Sequence, residues 1–248
     1  MTDADFPISR SYIAMLSETG ATPVVQSKWF ATVVVESPDS TVAEQLQQLA
    51  IVDSVKWIWK GNLRVPAEEK REDRFVSEDE PLHNEYGYSY KQIKMLNGTK
   101  LHEAGFRGEG MRVAVIDAGF MNADRVSAFD SLRLLGTHNV VFPGKSVFVG
   151  DDHGTKVLSC LAADIPGVMV GTAPKASYLL LKSEDSDSEY PVEEDYWTAA
   201  VEYADSAGVD VISSSLGYFA FDTDELSYDQ DALDGRTAMI SRAANLAA

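Results

Sequence analysis

Apolar positions along the chain recur at two spacings, about 3.6 and 2, and the changes from one to the other mark out the elements. Ile8, Tyr12, Ile13 and Leu16 share one helical face, with Ser9 placed to cap the helix and Gly20 to end it. Residues 23–36, P-V-V-Q-S-K-W-F-A-T-V-V-V-E, are dense in β-branched and aromatic side chains and predict one long strand or two short ones. A second helix is expected over 41–49, with Val42, Leu46 and Leu49 on one side, and a strand over 52–59, V-D-S-V-K-W-I-W. Helix, strand, helix, strand over residues 1–60 suits a small α+β unit with helices on one face of an antiparallel sheet. A unit of about sixty residues is marginal alone.

The pattern lapses over 61–90. Residues 67–79, A-E-E-K-R-E-D-R-F-V-S-E-D, mix both charges, and Pro81, Gly87 and three tyrosines follow. This stretch reads as an exposed connector open to proteolysis, or as an ordinary solvated loop. Over 91–248 the alternation resumes. Helical turns at 92–104 are interrupted by Asn97-Gly98, and strands are expected at 113–117, 132–141, 146–149, 176–181 and 209–214. Helices are expected at 151–163, 192–207 and from about 236 to the end. Strands alternating with helices of this length imply crossovers and an α/β fold, a parallel sheet with helices on both faces.

Ligands bind beyond the carboxyl ends of strands in such a sheet. The segment 113–120, V-A-V-I-D-A-G-F, delivers Asp117 to that edge, although Asp followed soon by Gly is also ordinary turn chemistry. Residues 151–163, D-D-H-G-T-K-V-L-S-C-L-A-A, place His153 at a helix start, and Ser214 ends another strand on the same edge. Asp151 and Asp152 suit the positive end of that helix.

Composition narrows the reading. A net charge of −18 argues against a general nucleic-acid binder, which needs cationic surface. The one cysteine, Cys160, allows neither an internal disulfide nor a Cys-rich zinc site. No apolar run reaches the ~18 residues of a membrane span. Residues 1–6, M-T-D-A-D-F, show no signal peptide.

Four segments together resemble the subtilisin-like serine peptidases (subtilases, peptidase family S8). They are V-A-V-I-D-A-G-F at 113–120, D-H-G-T-K-V-L-S at 152–159, G-T-A-P-K-A at 171–176 and V-I-S-S-S-L-G at 211–217, in the family's order and with similar gaps. The unit over 1–60 resembles part of a family propeptide of the Bacteroidetes type. The resemblance implies an endopeptidase with an Asp-His-Ser triad, in which His153 is the general base and Asp117 the carboxylate that orients it. It implies substrate binding by the exposed backbone of Ser215, Leu216 and Gly217, and by the opposite edge that begins at Ser183 and Glu184. The acidic run 183–195 is then either a solvated face or a lip that favours basic side chains. Protein or peptide substrate and the chain's own propeptide are the implied partners. The propeptide would assist folding, block the cleft and be cut away within 61–90. A secreted or periplasmic location is implied; no cofactor is, and a structural calcium is left open.

The chain also departs from the family pattern. The family's G-T-S-x-A-x-P nucleophile segment does not occur, and neither does the asparagine that completes the oxyanion hole between the S-L-G segment and that serine. The expectation is the middle of a longer peptidase, inactive by itself. Two other readings are a peptide-binding pseudoenzyme of the same fold and a metal site drawn from Asp117, Asp124, Asp151, Asp152 and His153.

Overall fold

The computed structural model describes residues 4, 6–61 and 84–248, and most of the connector expected at 61–90 lies outside them. The chain forms two compact units that are not contiguous in sequence. One comprises Met1–Leu63, Asp187–Tyr203 and Gly217–Ala248; the other comprises Arg64–Ser186 and Ala204–Leu216.

In the first unit, α1 (Arg10–Glu18), β1 (Thr22–Ser27), β2 (Thr32–Glu36) and α2 (Thr41–Gln47) follow the expected order. The 23–36 stretch is two strands, paired antiparallel from Thr22↔Glu36 to Ser27↔Thr32. Leu16, Ala21, Val42 and Leu46 form its core, with Val33, Val35, Leu49, Val52 and Val55 packed around them. The strand expected at 52–59 is absent. The Gln47 side chain takes over its hydrogen bonding instead: Val55 N–H donates to Gln47 Oε1 (3.0 Å), and Gln47 Nε2 donates to the Asp53 carbonyl (3.3 Å). Val52 and Val55 reach the core without a ladder, and Trp57 is exposed.

The rest of this unit comes from far along the sequence. Helix α6 (Val192–Ser206) contributes its residues up to Tyr203, and α7 (Met239–Ala247) lies near the chain end. The acidic run leading into α6 is solvated only in part: Ser186 and Asp187 are exposed, whereas Glu184, Glu193 and Glu194 are 6%, 1% and 3% exposed. Glu194 and Glu193 are carried inside by the same turn that buries Val192, Tyr196 and Trp197, and Glu194 Oε2 accepts the Tyr228 hydroxyl at 2.6 Å. Burial, and then the charge of Glu194, push the Asp195 carboxyl up to about 7.

The second unit holds a four-stranded, all-parallel sheet in the order β4-β7-β3-β8, where β3 is Arg112–Asp117, β4 Arg133–Asn139, β7 Ser177–Lys182 and β8 Val211–Ser214. Within it α3 (Tyr90–Met95) and α4 (Gly98–Glu103) are separated by Asn97, whose left-handed φ of 58° breaks the helix where the sequence placed the break. The β5–β6 hairpin (Asp164–Ile165 with Met169–Val170) has no counterpart in the sequence reading. Residues 146–149 are irregular rather than a strand, but Val147 is buried and its carbonyl accepts the Phe120 N–H at 2.8 Å. One core joins Val113 and Val115 of β3, Tyr178 and Leu180 of β7, and Leu158 and Ala162 of α5 (His153–Ala162). Residues 84–90, the end of the expected connector, are built into this unit: Ser89 Oγ bonds the Val170 carbonyl (2.8 Å), and Tyr86 stacks on the buried His102.

The raised Asp195 pKa has a measurable consequence. A carboxyl that holds its proton more tightly when folded contributes stability that is full below its unfolded value of 3.8 and is lost as pH rises through about 7. Asp195→Asn should therefore stabilise the chain at pH 8 relative to pH 5 and flatten the decline between them, read by urea denaturation at both pH values. A wild-type stability that rises across this interval and is unaffected by the substitution would refute this.

Candidate active site

Strand β3 places the site. Its residues from Ala114 to Asp117 are completely buried, between β7 on one side and β8 on the other. Asp117 therefore leaves the sheet as a carboxylate with no water around it, at the carboxyl end of a central strand. Burial raises its pKa above the ordinary carboxylate value, and hydrogen bonds from His153 and from the Ala118 N–H offset only part of that rise.

His153 opens α5, and its ring is about half exposed. Its backbone N–H donates to Asp151 Oδ1 (2.7 Å), which fixes the entry to the helix. Leu158 and Ala162, buried in the core, hold the helix body. Thr155 Oγ1 donates to the Met121 carbonyl (2.8 Å) and ties the first turn of α5 to the loop after β3.

The two side chains meet: His153 Nδ1 lies 2.7 Å from Asp117 Oδ1. An ionised carboxylate only accepts, so Nδ1 carries the proton and Nε2 is left as a base on the exposed ring. Asp117, by its hydrogen bond and then its charge, raises the His153 pKa above the ordinary imidazole value. Ala118 N–H donates to the same oxygen at 2.8 Å.

This approach depends on two glycines. A Cβ on Gly154 would lie 2.5 Å from the Gly119 carbonyl oxygen and 2.9 Å from Asp117 Cβ, and a Cβ on Gly119 would lie 2.8 Å from the Asp151 carbonyl oxygen. The helix start and the β3 loop are closer together than two side-chain-bearing backbones could come.

The other residues singled out in the sequence fall as follows. Ser183 and Glu184 continue β7; Ser183 N–H donates to the Asp117 carbonyl (3.1 Å), and its hydroxyl donates to Glu184 Oε1 (2.9 Å) inside the protein. Ser215 follows β8 and is exposed, Leu216 is half-buried, and Gly217 is exposed with open space beside it. Their backbone is irregular and belongs to no ladder among the described residues. Asp152 pairs with Lys156 (2.7 Å) on the surface of α5, an i,i+4 pair worth little. The sequence reading missed Lys182, a buried lysine at the end of β7. Its only signal was a charge closing an otherwise apolar strand.

Parts of the chain are similar to known proteins. Residues 1–77 match the peptidase S8 propeptide domain of Bacteroidota. The chain is 32% identical over 147 residues to subtilisin E of Bacillus subtilis (strain 168), an alignment covering 58% of this chain and 36% of that protein. It is 31% identical over 133 residues to the major intracellular serine protease of the same organism, covering 50% and 40%. The chain thus spans about two fifths of the length of these relatives. Fervidolysin from Fervidobacterium pennivorans, a keratinolytic enzyme related to subtilisin, shares the fold at a TM-score of 0.58 and 15% identity, over 97% of this chain and 37% of that one. The chain is similar to subtilisin-like serine peptidases, and its residues 1–77 are similar to the peptidase S8 propeptide domain of Bacteroidota.

Two substitutions test the geometry. In Asp117→Asn, the His153 midpoint, followed by NMR, should fall from above the ordinary value of about 6.5 to that value or lower. The stability that His153 contributes is complete below about pH 6.5 and fades as pH rises through the folded midpoint, and this dependence should vanish in the variant. Gly154→Ala should destabilise the chain by about 1–3 kcal/mol through overpacking and weaken the His153–Asp117 coupling. A midpoint unchanged in both would refute the site.

Proposed function

We propose that this chain is part of a serine endopeptidase that hydrolyses peptide bonds with an Asp-His-Ser triad, Asp117 and His153 being two of its members. The 2.7 Å bond from His153 Nδ1 to the buried Asp117 is the observation that carries this reading. A serine hydroxyl is a poor nucleophile until an imidazole removes its proton. His153 does so through Nε2, and Asp117 fixes the tautomer and stabilises the imidazolium that results. The same imidazolium then protonates the leaving amine. Water repeats the cycle on the acyl-enzyme.

The nucleophilic serine and the oxyanion asparagine have no counterpart in the G-T-A-P or S-L-G segments, and in this proposal they lie outside these residues. The exposed backbone at Ser215, Leu216 and Gly217 pairs with an extended peptide, and the edge starting at Ser183 and Glu184 faces it. The burial of Glu184 weighs against that edge being a charged lip for basic side chains.

The chain's own propeptide region is the second partner. Within the first unit, the buried Glu202 carboxylate on α6 accepts the Ser27 hydroxyl (2.5 Å) and the N–H groups of Lys28 (3.1 Å) and Trp29 (3.2 Å). The Arg242 guanidinium of α7 stands 4.6 Å over the Phe30 ring. The turn between β1 and β2 is thus held by residues far beyond the propeptide match. Action outside the cytoplasm belongs to the same proposal; no helix among the described residues is long and apolar enough to cross a membrane.

The 248 residues by themselves should neither cleave casein nor label with a fluorophosphonate. A protein that continues this chain through a G-T-S segment should do both. By analogy with the subtilisin triad, His153→Ala in that protein should lower kcat by about 10⁶ with little change in KM. Inhibitor-sensitive hydrolysis by the 248 residues alone, or a His153→Ala enzyme of undiminished kcat, would refute the proposal.

A further inference from the structure

Strand β7 runs S-Y-L-L-L-K, and the lysine that ends it is 5% exposed. Lysine is almost never buried unless its charge is used. Lys182 stands opposite Asp117 in the parallel register of β7 and β3, so the two side chains leave the same face of the sheet from strands about 4.8 Å apart. Its ammonium donates to the Ala118 carbonyl, the residue directly after Asp117.

Asp117 has one oxygen without a partner among the described residues. Oδ1 accepts from His153 and from the Ala118 N–H, but Oδ2 is buried with no hydrogen bond among the described residues. A carboxylate in that position ionises more readily if a positive charge lies close by in the same low-dielectric surroundings. Of the groups facing it, Asp151 adds negative charge and His153 is neutral above its midpoint. Strand β8 brings uncharged Ser214 opposite Ile116, and Lys156 is engaged with Asp152 at the surface. Glu184, bonded by Ser183, adds a further carboxyl beyond β7. Lys182 is the cation that enters from the sheet itself.

We propose that Lys182 is a positioning residue of the Asp117–His153 pair: its buried ammonium, seated on the Ala118 carbonyl, keeps Asp117 ionised and holds the turn after β3 against it. This deepens the peptidase reading and rests on it for its purpose, but its test reads protonation rather than hydrolysis.

The test uses the intact 248-residue chain, with NMR titration of the His153 ring and of ¹³Cγ of Asp117. In Lys182→Met, Asp117 should take up a proton near neutral pH, and the His153 midpoint should fall from above the ordinary imidazole value to that value or below. Lys182→Arg, which keeps the charge, should restore both. An unchanged midpoint in folded Lys182→Met overturns the proposal. So does a rise, which is what loss of a merely nearby cation would produce. Should the Met variant not fold, the unmodified chain decides: Asp117 must remain a carboxylate while His153 takes up its proton, and a protonated Asp117 at pH 7 overturns the proposal. If Asp117→Asn leaves His153 unmoved, the pair is uncoupled and the peptidase reading itself fails; if that variant behaves as expected and Lys182→Met does not, only the role of Lys182 falls.

Discussion

A carboxylate with no access to water organises this protein's chemistry. Asp117 sits at the end of a strand that is completely buried from Ala114 onward, where an isolated negative charge is unfavourable, and the imidazole of His153 and the Ala118 N–H compensate for part of that cost at a single oxygen. The compensation runs both ways. The buried acceptor fixes which nitrogen of His153 holds a proton and raises its affinity for a second one, which turns an ordinary surface histidine into an oriented base.

Holding the two groups 2.7 Å apart constrains the backbone around them. The start of α5 and the loop after β3 touch through Gly154, Gly119 and the carbonyls they face, and Thr155 binds the loop from the helix side. The body of α5 is locked by Leu158 and Ala162 in the same core as Val113 and Val115, so the position of His153 follows from the packing of the whole unit. A histidine at the start of a helix buried along one face has little backbone freedom left to lose.

The first unit shows a related use of buried charge. Glu202 gathers one hydroxyl and two backbone N–H donors from the turn after β1, which would otherwise carry unsatisfied groups into a packed surface. A small α+β unit with a two-stranded sheet and a core of four fully buried residues gains from such an anchor. It ties residues 187–203 to the turn between β1 and β2 within the compact unit.

The linear pattern carried a great deal. Apolar runs bounded by Asp and Gly located β3, the pattern over 151–163 located α5, and the order of four short segments pointed to the peptidase family. These features are local, and periodicity and motif chemistry act over a few residues. Three features were beyond its reach: the Gln47 side chain replacing a strand at 52–59, Glu184, Glu193 and Glu194 of the acidic run at 183–195 being buried, and Lys182 standing beside Asp117. Each depends on which distant groups share a low-dielectric interior. A charged residue reads as solvated in a sequence, and only packing decides which charges lose their water and must find partners in the fold.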